Sequence, residues 1–204
     1  MALPILETAT YELTLPSADV VVKYRPFLVK EEKVLLQALE SNDDKEIKNA
    51  ICDIVSTCTF NQVNAKLLPT FDLEYIFLQV RSKSVGEIAN IRLKCPDDKE
   101  TYVTHNIDLS KVEVQVDDEH TNEIKVSDKI KIIMKYPTID TVDPKLNVEG
   151  MKTQQVFDMI TGCIHSITDG DKEHFVKDYT KEDLNKFIEN LDRAAFDKLN
   201  KFFE

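Results

Sequence analysis

An α+β fold is predicted by three features of the sequence. Strand-prone segments stand at the N-terminus and again between Glu87 and Pro137, with helix formers between them and after them. Apolar residues make up 42% of the 204 residues, too many for a chain that stays solvated and unfolded. The central strand segments lie too close together for helix-length crossovers, so antiparallel pairing is the economical arrangement. Residues 1–86 read as an N-terminal hairpin plus a helical lobe, residues 87–149 as an antiparallel β region, and residues 150–204 as a C-terminal helical region.

At the N-terminus, Thr10-Tyr11-Glu12-Leu13-Thr14-Leu15 alternates with period two. Pro16-Ser17-Ala18-Asp19 supplies a turn and Val20-Val21-Val22-Lys23-Tyr24 is β-branched, which together predict a hairpin. Good helix formers fill 30–40, with Leu35, Leu36 and Leu39 on one face. Ser41-Asn42-Asp43 breaks that helix and can cap the next, on which Ile47, Ile51, Ile54, Val55 and Cys58 form one apolar stripe. Residues 71–80 are apolar on nearly every side, which predicts the most buried helix of the chain, with Phe77 in its core. Gly86 closes that helix.

Ile88-Ala89-Asn90-Ile91-Arg92-Leu93-Lys94 alternates, Cys95-Pro96-Asp97-Asp98 turns, and Thr101-Tyr102-Val103-Thr104 returns. Val112-Glu113-Val114-Gln115-Val116 also alternates, and residues 129–136 form the strongest strand pattern of all. A loop with Pro137, Pro144 and Gly150 ends this region. Beyond it, Val156, Ile160, Cys163, Ile164 and Ile167 read as one helical stripe. Thr180-Lys181-Glu182-Asp183 has the form of a capping box, and Asp192 is placed to cap a final helix carrying Phe196, Phe202 and Phe203.

Charge and composition exclude several functions. Twenty-six basic against thirty-seven acidic residues give a net charge of −11, which repels nucleic acid and anionic membranes on average. The longest apolar run, Tyr75-Ile76-Phe77-Leu78, is far short of the roughly 20 residues that a spanning helix needs. The start Met1-Ala2-Leu3-Pro4 has no signal-peptide pattern, and the scattered Cys52, Cys58, Cys95 and Cys163 suggest reduced thiols in a cytoplasm. Only four glycines are present, none in a phosphate-loop pattern. Cys95-Pro96-Asp97-Asp98 looks like half a zinc knuckle, with Asp98 where a second cysteine would stand; a plain turn is the better reading. Asp117-Asp118-Glu119 lacks calcium-loop spacing and reads as a solvated turn. His105, His120, His165 and His174 have no nucleophile context, and Cys163 with His165 would point in different directions on a helix. No catalytic residue, metal or cofactor is expected. An enzyme would need a pocket joining a histidine to Cys163 or Cys95.

Three stretches carry a resemblance to a known family. Leu15-Pro16-Ser17, followed by Arg25-Pro26-Phe27-Leu28-Val29-Lys30-Glu31-Glu32-Lys33, is similar to the N-terminal pattern of T-even-type bacteriophage baseplate hub and hub-assembly proteins. The run from Phe71-Asp72-Leu73-Glu74-Tyr75 through Arg81-Ser82-Lys83-Ser84-Val85-Gly86-Glu87 resembles the central signature of that family, and the strand ending in Cys95 is similar to the family's next segment. The resemblance implies a part in building the hub of a contractile-tail baseplate, through protein–protein binding rather than catalysis. Its partners would be other hub proteins or the tape-measure protein, with no nucleic acid and no membrane segment. The alternative it leaves open is a transient chaperone of the tape-measure or another hub protein that is absent from the mature virion. Host cytoplasm during assembly and the tail baseplate are the implied locations. A further segment beyond Glu204 would also be expected.

Five residues are candidates for interaction. Arg81 and Lys83 follow an almost wholly apolar helix in an acidic chain. They complement the helix dipole, and Arg81 can in addition hold an acidic group through its fork. Phe196, Phe202 and Phe203 load the C-terminal helix with aromatic surface, suited to core packing or to a partner's groove.

Overall fold

The computed structural model describes residues 7–98, 100–115, 117, 120–141 and 153–203. Its described elements are helices and antiparallel strands, an α+β fold. The chain divides into two compact units, Met1–Val114 and Gln115–Glu204. The loop residues Pro144 and Gly150, together with Asp118 and Glu119, lie outside the described residues.

In the first unit, β1 (Tyr11–Thr14) and β2 (Val21–Tyr24) form the expected hairpin, with Tyr11 opposite Tyr24 and Thr14 opposite Val21. Period-two alternation turns Leu13, Val22 and Tyr24 inward. Three helices come next: α1 (Val29–Ser41), α2 (Asp44–Cys58) and α3 (Thr70–Val85). Asp43 caps α2 by accepting a hydrogen bond from the Lys45 amide at 2.8 Å. The α2 stripe buries Ile54, Val55 and Cys58, and α3 meets it with Leu73, Ile76 and Val80. Phe77 is only half-buried; Ile76 and Val80 hold the inward face instead. Gly86 ends α3 at φ +128°, a backbone region that side chains disfavour.

The face that α1 turns inward differs from the expected one. Glu31, Leu35 and Ala38 recur at helical spacing, with Glu31 and Ala38 buried and Leu35 half-buried. Leu36 and Leu39 are therefore exposed, at 53% and 48%. Glu31, at the start of this buried face, is tied through its carboxylate to Arg25.

Beyond α3, β3 (Ile88–Lys94) and β4 (Tyr102–Asp108) pair over seven positions as a two-stranded ribbon. At its tip the Asp98 carboxylate accepts hydrogen bonds from the amides of Glu100 and Thr101, both at 2.9 Å, and from the Thr101 hydroxyl. The half-knuckle is thus a turn closed by an aspartate. Residues 112–115 form no strand, contrary to their alternation. A 3-10 turn at Leu109–Lys111 precedes them, buries Leu109 and takes the chain off the ribbon.

The second unit holds a four-stranded antiparallel sheet in the order β5-β6-β7-β8: β5 (Glu123–Lys125), β6 (Ile130–Met134), β7 (Ile164–Asp169) and β8 (Lys172–Phe175). Helix α4 (Thr153–Cys163) precedes β7, and α5 (Lys181–Glu189) and α6 (Arg193–Lys201) come after β8. The expected helical stripe thus stops at Cys163, and Ile164 and Ile167 belong to a strand. Their β-branched side chains suit the sheet, where Ile167 lies opposite Ile132. Gly170, at φ +61°, makes the tight turn into β8. The core of this unit is built from Ile132, Met134, Ile160, Cys163, Ile188 and Leu199.

Candidate interaction surfaces

The stretches that carry the family resemblance are joined by side-chain bonds in the first unit. Ser17 donates from both its amide (3.2 Å) and its hydroxyl to the fully buried Asp72. The Phe27 amide donates to Ser84 Oγ at 2.9 Å. Arg25 Nη2 meets Glu31 Oε1 at 3.0 Å, Nη1 donates to the Pro26 carbonyl at 2.9 Å, and the Arg25 amide donates to the Cys58 carbonyl at 3.0 Å. Glu31 Oε2 in turn accepts the Leu28 amide at 2.8 Å, which caps α1 where Leu28 has no side-chain acceptor. Burial pushes the Glu31 carboxyl up. The Arg25 and Leu28 hydrogen bonds and the charges of Arg25 and Lys30 outweigh that and hold it below its ordinary range.

Residues 8–204, nearly the whole chain, match the family model described as T4 bacteriophage base plate protein. The chain belongs to this family. Neither a curated protein nor a solved structure matches it. The family is one of structural phage base plate proteins.

Exposed apolar residues of the first unit include those of the β3–β4 ribbon and of α1. On the β3–β4 ribbon, register puts Ala89, Ile91 and Leu93 on one face with Val103, His105 and Ile107. Its base is half-buried, while Leu93 and Val103 near the tip are 51% and 54% exposed. The opposite face mixes Asn90, Lys94, Thr104 and Asn106 with the exposed Ile88, and carries Arg92 over the Tyr102 ring at 5.0 Å. On α1, Val29, Leu36 and Leu39 form an exposed stripe.

The two cations at the end of α3 differ in their surroundings. Lys83 pairs with Glu87 and lies over the Tyr11 ring at 5.3 Å; the Glu87 hydrogen bond holds its ammonium above the ordinary value. Arg81 is half-buried, and its Nη1 is buried with no hydrogen-bond partner among the described residues. The acidic group expected for its fork is not supplied by those residues.

The aromatic candidates lie in the second unit. Phe202 is 6% exposed and packs with Tyr136 (5.4 Å between ring centres), His120 (5.0 Å) and Phe203 (5.2 Å). Phe196 meets Phe157 at 5.5 Å. Phe196 and Phe203 remain half-buried against the core. Cys163 is wholly buried, its thiol pushed up to about 11 by burial, whereas His165 is exposed on β7. Cys95, half-buried, stands just after β3. The four cysteines form no disulfide. Among the described residues no cluster of three metal-ligating side chains occurs, and no helix is long and apolar enough to cross a membrane.

Among the described residues of this unit, two cavities are lined by both apolar and charged side chains. One, of about 510 Å³, lies between the sheet and α5. Ile130, Ile167, Leu184 and Phe187 supply its apolar wall, and Asp169, His174, Tyr179 and Asp183 its polar one. The other, of about 520 Å³, is floored by Ile124 and Phe202 and includes Lys125, Lys198 and Lys201 with Asp117 and Glu123. The sequence marks neither, because each draws its lining from elements far apart in the chain.

Proposed function

We propose that the chain is a subunit or assembly factor of the baseplate hub and acts by binding other hub proteins, without catalysis. The observation that carries this reading is the uncovered apolar face of the β3–β4 ribbon, on a chain of the base plate family. Leu93 and Val103 are half exposed, so a partner's apolar surface is the natural cover for them. Arg81 supports the same reading, since a buried donor without a partner is costly until a carboxylate or carbonyl reaches it. In this proposal assembly takes place in the host cytoplasm.

A second reading is a transient chaperone of the tape-measure or another hub protein. The exposed stripe of Val29, Leu36 and Leu39 on α1 favours it, because such a stripe suits the apolar side of a long helix. Mass spectrometry of purified mature virions separates the two. A hub subunit is recovered at a fixed ratio to other baseplate proteins, and a chaperone is missing from virions but present in assembly intermediates. Absence from both would overturn both readings.

A further inference from the structure

We propose that the cavity between the sheet and α5 is a socket for a lysine or arginine side chain presented by a partner polypeptide. The inference deepens the proposed assembly role and rests on it for the identity of the partner.

The wall chemistry matches an amphipathic cation. Ile130, Ile167, Leu184 and Phe187 offer an apolar lining for a methylene stem, and Phe187 adds an aromatic ring for the charged head. The polar side carries two carboxylates, Asp169 and Asp183, and no lysine or arginine is among the lining residues. Lys172, the register partner of Asp169, is not part of the lining either. The Asp169 carboxylate has no hydrogen bond or ion pair among the described residues. Tyr179 and His174 are held together by a 2.5 Å hydrogen bond between the phenol oxygen and Nδ1, which fixes one edge of the opening.

An anion is the natural competitor, because the cavity borders the first turn of α5 and a helix N-terminus attracts negative charge. That place is already taken. Asp183 Oδ2 accepts the Thr180 hydroxyl at 2.7 Å and the Thr180 amide at 3.3 Å, and Thr180 Oγ1 accepts the Asp183 amide at 3.2 Å. The Asp183 charge therefore answers the dipole, and an entering anion would meet two carboxylates. The volume of about 510 Å³ falls within the roughly 300–1,000 Å³ of ordinary ligand pockets, enough for a basic side chain with part of its backbone.

The test uses the full chain and amide-resolved NMR. N-acetyl-arginine amide is titrated to about 20 mM, a range suited to an isolated side chain of millimolar affinity. The uncharged isostere N-acetyl-citrulline amide runs in parallel. The socket requires saturable shifts at Asp169, His174, Tyr179 and Asp183 with the arginine probe and weaker ones with citrulline. Asp169→Asn, an exposed position outside the core, should weaken arginine binding about fivefold, the value of one surface charge pair. Equal response to both probes, no response, or shifts only around Lys198 and Lys201 would overturn the socket. Any of those outcomes leaves the hub role intact, since virion content is measured separately; loss of the hub role would leave arginine binding as observed.

Discussion

Arg25 and Glu31 form a buried ion pair at 3.0 Å, with side chains only 10% and 8% exposed, and the pair joins the end of β2 to the first turn of α1. Arg25 also reaches the C-terminus of α2 through the hydrogen bond that its backbone amide donates to the Cys58 carbonyl. The ion pair and the Arg25 backbone amide thus link three elements, with Glu31 on the buried side of α1. Arg25→Met should strand the Glu31 charge and destabilise the first unit by about 3–5 kcal/mol, the usual effect of removing one partner of a buried pair. Denaturant melts followed by circular dichroism measure it.

The same pair makes stability depend on pH. Folding holds the Glu31 carboxyl below its ordinary value of 4.5. A lowered carboxyl contributes stability that is complete above the unfolded value and fades as pH falls through the folded one. The stability difference between the wild type and Glu31→Gln should be flat from neutral pH to about pH 5 and shrink below that. Melts across an acid series decide it. A difference that grows on acidification would mean that the carboxyl is raised, not lowered.

Burial within α3 falls on Ile76 and Val80, with Phe77 half-buried. Ile76→Ala should cost about 2–5 kcal/mol, and Phe77→Ala should fall below the roughly 3–5 kcal/mol of a fully enclosed aromatic. Equilibrium unfolding of the two variants ranks them.

Arg81 and Lys83 should separate by substitution. Lys83→Arg preserves the charge facing Glu87 and should be silent in both melting and phage growth. Arg81→Lys loses the planar fork and should impair assembly while melting stays unchanged, because no described carboxylate pairs with Arg81. A lowered melting temperature in Arg81→Lys would assign the residue to the fold instead.

Periodicity and caps made much of this fold legible. The β1–β2 hairpin, α2 with its Asp43 cap, the end of α3 at Gly86 and the Thr180–Asp183 box are all encoded within a few residues. Tertiary choices were not. Ile164 and Ile167 satisfy helical spacing and β-strand propensity equally, and the neighbouring Ile132 strand decided for the sheet. Leu36 and Leu39 look like core in a helix read alone, until Glu31 is known to be buried. Of the candidate sites, Lys83 and Phe202 proved to have partners within their own units. The ribbon face of Leu93 and Val103 was visible as alternation, but alternation alone does not say whether a face is covered or exposed.

Complementation with a charged ribbon shows whether this surface builds baseplates. A phage lacking this chain is supplied with Leu93→Glu/Val103→Lys, both changes lying at exposed positions that leave the core untouched. The expected result is a variant that melts like the wild type yet supports no complete baseplates in electron micrographs of infected cells. Wild-type numbers of baseplates from this variant would contradict the assignment of the ribbon as the surface through which the chain builds them.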